Sequence, residues 1–125
     1  MNFSVHQASH ISDRKYNQDR VAYAYNQDAL LLVLADGMGG HLQGEVAAAL
    51  AIETFVESFD QISASSQRNP KRFLSETMSR AHQRIVALSS DSELHSTSPG
   101  STCVAALICA GKIYWGHAGD SRLYL

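Results

Sequence analysis

The sequence contains no run of lysine or arginine, and its net charge is −2. A nucleic-acid or anionic-membrane partner is therefore not suggested. Long hydrophobic runs are also missing. The longest, Ala29 to Ala35 and Cys103 to Ala110, fall far short of the ~20 residues that span a bilayer. The opening MNFSVHQAS has no signal-peptide core. Cysteine is scarce, with Cys103 and Cys109 alone. On one strand they would stand about 20 Å apart, whereas a bridge needs Cα atoms within about 7 Å. They read as small buried side chains in a reducing compartment, which makes the cytoplasm the default location.

What is present is ordinary for a soluble globular chain: 125 residues, 45% hydrophobic and 18% charged. That suffices for one domain, residues 1–125, with a modest core. Phe3 to Ser9 alternates as a half-buried strand does. His10 to Asp19 is a polar loop. Arg20 to Tyr25 and Leu30 to Ala35 read as strands, joined by the turn residues Asn26-Gln27-Asp28. Glu45 to about Gln61 has helical periodicity, and ISASSQRN after it reads as a linker. Asn69-Pro70 starts a second helix, with a capping residue before proline at the first helical position. Its stripe of Leu74, Met78, Ala81, Ile85 and Leu88 runs to about Ser89. Ser101 to Cys109 is an apolar strand that turns at Ala110-Gly111 into Lys112 to His117. LYL at the end reads as the start of a further strand. A chain that stops inside an expected strand reads as an incomplete folding unit. Three strands, two helices and three strands predict an α+β class with helices outside an antiparallel sheet.

The chemistry sits at strand ends. Asp19, Asp36 and Asp120 each adjoin a loop, and hard cations such as Mg²⁺ and Mn²⁺ take carboxylate and carbonyl oxygens. Gly37, directly after Asp36, would let a backbone carbonyl reach the same ion. Arg14 carries a fork suited to phosphate. Each piece also has a plainer reading: aspartate at a strand end is more often a turn former, and a lone arginine is more often solvated. DGMGGH could be a flexible joint or a generic anion-binding helix start, and it lacks the Lys-Ser/Thr of a P-loop. His41 is evenly balanced between acid or ligand and loop residue. His6, His10, His82, His95 and His117 have no ligand spacing. Cys103 has no evident partner for nucleophilic work.

In combination, RKYNQDR, ADGMGGHLQGEVAA, PGSTCVAALI and GHAGDSRLYL, in that order, resemble the type 2C metal-dependent protein phosphatases, and most closely their bacterial branch. The motifs spread from about Arg14 to Leu125 and cover about the first half of that family's domain. The resemblance implies a sandwich of two antiparallel β-sheets flanked by helices, of which this chain holds the N-terminal part. It implies hydrolysis of phosphoserine and phosphothreonine in proteins by a metal-activated water, with two Mg²⁺ or Mn²⁺ ions and a possible third. Asp36 matches the bridging carboxylate and Gly37 the carbonyl ligand. Asp19 matches the acidic residue near the metals, Arg14 the phosphate-binding arginine, and Asp120 a ligand of the third ion. Gly100, Ser101 and Thr102 match the structural start of a central strand. Met38 stands where animal relatives often carry a histidine, which leaves the general acid unassigned.

Expected partners are phosphorylated proteins and a cognate Ser/Thr kinase. The 125-residue chain alone is expected to be inactive, because the family's later metal-binding aspartates lie beyond it. Two rivals remain open at this point. One is a non-catalytic phosphatase-like fragment that binds a partner. The other, weaker, is a nucleotide-binding domain using DGMGGH. The tetrapeptide YNQD occurs twice: its first copy puts Asp19 at the site, and its second makes Asp28 a hairpin residue.

Overall fold

The computed structural model describes residues 2–9, 19–38, 41–90 and 100–125. Four strands and two helices follow in the order β1 (Asp19–Tyr25), β2 (Ala29–Met38), α1 (His41–Arg68), α2 (Pro70–Ser90), β3 (Gly100–Cys109) and β4 (Lys112–Ala118). The strands form one antiparallel sheet in the order β1-β2-β3-β4. The helix pair is inserted between the two central strands. This is the antiparallel α+β arrangement expected from the sequence.

Local chemistry accounts for the joints. Asn26 Oδ1 accepts hydrogen bonds from the N–H groups of Asp28 (2.8 Å) and Ala29 (2.9 Å), so the second YNQD is a side-chain-closed turn. Asn69 caps α2: its Oδ1 accepts from the N–H of Arg72 at 3.2 Å, and its carbonyl from that of Phe73 at 3.0 Å. At the β3–β4 turn both Ala110 (φ 51°) and Gly111 (φ 72°) adopt left-handed backbone. That pair of angles matches the twist of a two-residue hairpin.

Five sequence expectations change. The stretch 62–68 is not a linker, because α1 runs on to Arg68. It contains neither proline nor glycine, and the helix stops only where Pro70 disfavours helical backbone at Asn69. Likewise α1 begins at His41 rather than Glu45, so Gly44 is helical. Residues 3–9 are irregular, and so is 121–125. Alternation makes a strand only where a neighbour supplies the ladder, and none pairs with either segment among the described residues. Finally, β2 continues through Gly37 to Met38, so the glycine-rich stretch begins inside the sheet.

The core lies between the helices and one face of the sheet. Leu31 and Val33 of β2 meet Cys103, Ala105 and Leu107 of β3 beneath Phe55, Phe59, Phe73 and Leu74 of the helices. Ala35, Ala47, Ala48 and Ala51 form a second cluster with Ile85 at the Asp36 end, and its alanines let α1 approach β2 closely. Thr54 and Ser58 are buried in α1, and their hydroxyls donate to the carbonyls four residues back. The opposite face carries Tyr23, Tyr25, Leu34 and Trp115, all substantially exposed. The ring of Phe3 packs edge-on against Tyr25 there, with centroids 5.2 Å apart.

Ala110 holds a left-handed conformation that costs a non-glycine residue about 1 kcal/mol. Ala110→Asn, which gives the preferred Asn-Gly turn, is expected to stabilise the fold by about 0.5–1 kcal/mol in urea denaturation.

Candidate metal centre

The sheet register brings the acidic strand ends together. Asp19, the first residue of β1, is paired with Asp36 near the end of β2. Neighbouring strands lie about 4.8 Å apart, so two residues distant in sequence become adjacent. Asp36 is half-buried and Gly37 is buried.

Gly37 meets the first turn of α1. A Cβ built on Gly37 would run into the backbone carbonyl of Gly44. The two backbones are in contact with no side chain between them. Gly37 therefore presents bare backbone at the sheet–helix junction, directly after Asp36, which is itself paired with Asp19. Carboxylate and carbonyl oxygens are the donors that Mg²⁺ and Mn²⁺ prefer, and the residues present fit such an ion.

Polar contacts from β3 hold Asp36 in place. Thr102, directly across from it, accepts a hydrogen bond from the Asp36 N–H on its Oγ1 at 3.2 Å. Ser101 Oγ lies 3.3 Å from the Asp36 carbonyl and 2.7 Å from that of Thr102. Thr102 Oγ1 also bonds the hydroxyl of Ser121. The turn after β4 is thereby tied to the same point. Gly119 in that turn has φ +93°, and a Cβ there would come within 2.6 Å of Thr102 Cγ2. Asp120, between Gly119 and Ser121, is exposed.

Of the five residues expected at the site, Asp19, Asp36 and Gly37 are brought together by strand pairing. Asp120 is connected to them through its neighbour Ser121 and Thr102. Arg14 lies outside the described residues, as do His10 and His95. Among the described residues no three His, Cys, Asp or Glu side chains gather into a metal-sized group. His6, His82 and His117 are exposed. The last two line a groove of about 780 Å³ between α2 and β4 that includes none of the five candidates. Gly44 and the hydroxyls of Ser101, Thr102 and Ser121 were not in the candidate set. Gly44, the fourth glycine of DGMGGHLQG, was legible in the sequence. Nothing in the sequence alone placed Thr102 opposite Asp36.

Cys103 and Cys109 are free and buried. Burial pushes the Cys103 thiol up to about 12, and raises that of Cys109 as well. At neutral pH the nucleophilic thiolate is therefore suppressed.

The protein phosphatase 2C family model matches residues 6–125. The serine/threonine phosphatase stp of Listeria monocytogenes serotype 4b is 32% identical over 114 residues, covering 90% of this chain and 45% of that protein. The Streptococcus agalactiae serine/threonine phosphatase superposes with a TM-score of 0.77 at 27% identity, over 89% of this chain and 46% of that one. The catalytic domain of the serine threonine protein phosphatase PstP, in complex with two manganese ions, superposes with a TM-score of 0.69 at 30% identity. That match covers 87% of this chain and 44% of that one. The chain thus spans somewhat less than half the length of the relatives it matches.

Gly37→Ala is expected to destabilise the fold by about 3 kcal/mol or more, since the obstacle is backbone rather than a yielding side chain. Guanidinium denaturation would register it, and an unchanged midpoint would refute the close contact. For Cys103, thiol labelling at pH 8 should be slow in the folded protein and rapid in denaturant. Fast native labelling would contradict its burial.

Proposed function

The chain belongs to the protein phosphatase 2C family, and from that premise we propose that the protein carrying it hydrolyses phosphoserine and phosphothreonine in proteins. The observation that carries the proposal is the pairing of Asp19 with Asp36 beside the side-chain-free Gly37. Asp36, Gly37 and Asp19 are the residues that would hold Mg²⁺ or Mn²⁺, with Asp120 serving a further ion. When bound, the metal supplies Lewis acidity that makes water a nucleophile at neutral pH and offsets phosphate charge. The chain's own residues orient and hold. The Asp36 backbone is held from β3, its N–H donating to Thr102 Oγ1 and its carbonyl lying 3.3 Å from Ser101 Oγ. A carboxylate on a fixed main chain loses less freedom when it takes up a cation. Arg14 would grip two phosphate oxygens with its guanidinium fork.

Phosphorylated proteins are the partners this reading requires, with a Ser/Thr kinase supplying them, and the cytoplasm is the proposed location. No helix among the described residues is long and apolar enough to cross a membrane. The alternative of a catalytically inactive binding module has less support. The named relatives are phosphatases, and the oxygen donors of the site are present in this chain.

Hydrolysis of p-nitrophenyl phosphate and of a phosphothreonine peptide tests the proposal on the full-length protein, run beside the 125-residue chain. The full-length form should turn over with Mn²⁺ and stop with chelator. Asp36→Ala should lower kcat/KM by about 100-fold or more, equivalent to roughly 2.7 kcal/mol. Arg14→Ala should act on both substrates by weakening phosphate binding. Turnover insensitive to chelator, or unaffected by Asp36→Ala, would overturn the reading.

A further inference from the structure

Thr102 is buried at 4% exposure, and its hydroxyl has two partners that lie on different segments. Oγ1 accepts from the Asp36 N–H and is hydrogen-bonded to Ser121 Oγ. A hydroxyl can do this because it carries two lone pairs and one rotatable hydrogen. Its methyl group has a separate task. Cγ2 lies under Gly119, where a Cβ would approach to 2.6 Å, so the turn closes directly onto the threonine. The two halves of this one side chain thus face the Asp36 backbone and the turn that carries Asp120.

Few other residue types serve both ends. Valine keeps the shape but removes the acceptor, leaving a part-buried N–H and a serine hydroxyl without this partner. Serine keeps the oxygen but removes the methyl under Gly119. The contact is also selective in position: β2–β3 pairing sets Thr102 opposite Asp36 and no other candidate.

We propose that Thr102 is a positioning residue of the metal centre: its hydroxyl sets the Asp36 strand end and the Asp120 turn in fixed relation, so that both carboxylates meet cations in one arrangement. This rests on the reading of Asp36 and Asp120 as metal ligands. Groups that orient ligands from behind typically govern about 10–100-fold in metal affinity.

The test is direct Mn²⁺ binding to the full-length protein, followed by electron paramagnetic resonance of the free ion without substrate. Thr102→Val, Thr102→Ser, Ser121→Ala and Asp36→Ala are compared with the parent, and each is melted in chelator. Thr102→Val and Ser121→Ala should each weaken Mn²⁺ binding about tenfold or more. Thr102→Ser should stay within about threefold, because the hydroxyl remains. The activity of Thr102→Val should recover towards that of the parent at saturating Mn²⁺, which simple loss of folded protein would not allow. If Thr102→Val does not fold in chelator, Ser121→Ala carries the test, since it removes only the far end of the link. Parent-like Mn²⁺ affinity in Thr102→Val or, failing that, in Ser121→Ala overturns the inference. So does a Thr102→Ser variant as weak as Thr102→Val. Asp36→Ala separates the two levels of the argument. If it loses Mn²⁺ while Thr102→Val retains it, only the role of Thr102 falls. If Asp36→Ala itself binds as the parent does, the metal-centre reading falls with it.

Discussion

The register between β2 and β3 is the constraint on which the rest of this structure depends. It pairs Ala29 with Cys109 at one end and Met38 with Gly100 at the other. One consequence is the core: Leu31, Val33 and Ala35 share the helix-covered face with Cys103, Ala105 and Leu107. The other is the site: Asp36 falls opposite Thr102. A slip of one residue would turn every side chain of the strand to the other face. It would bury the aspartate against the helices and turn Leu31 and Val33 out of the core. Core and site are therefore enforced by the same hydrophobic pattern.

The helix pair adds a second restraint at the same end. Small residues, Ala47, Ala48 and Ala51, let α1 settle close to Ala35, and the Gly37–Gly44 contact removes the last intervening side chain. Dense packing of this kind resists deformation. The Asp36 end of β2 is thus braced by β1 on one side, β3 on the other and α1 above. Further along, Arg84 of α2 donates to Thr54 of α1 at 2.8 Å, with Glu53 and Glu57 within 4 Å, which keeps the two helices in step. These carboxylates are half exposed, so the ion pairs contribute little beyond that alignment.

The match to the protein phosphatase 2C family and the geometry support each other at different points. The family model spans residues 6–125, and the superpositions cover nearly the whole chain. The geometry accounts for why motifs far apart in sequence belong together. ADGM ends β2, GST begins β3, and GDS follows β4; hydrogen bonds through Thr102 join all three. The oxygen-donor character of the site follows from these segments. The chain spans a little under half the length of the relatives it matches.

Much of this was legible in the residues. Asn26 and Asn69-Pro70 marked their turn and cap, since their side chains act on backbone groups two or three positions away. The stripe of Leu74, Met78, Ala81 and Ile85 marked α2, and the apolar run Leu30 to Ala35 marked a strand. Asp36 beside Gly37 was recognisable by motif. Other features were not legible, because they depend on partners distant in sequence. Phe3 to Ser9 alternates as a strand would, yet no strand pairs with it among the described residues. The extent of α1 depended on where Pro70 stopped it and on Gly44 finding Gly37. The sequence by itself determined the elements, the turns and the chemical character of the carboxylates, all of which are set within a few residues along the chain. Only the tertiary structure decided that Asp19 lies opposite Asp36 and that one buried threonine joins Asp36 to the Asp120 turn. Those contacts are made by strand register, which no local stretch of residues contains.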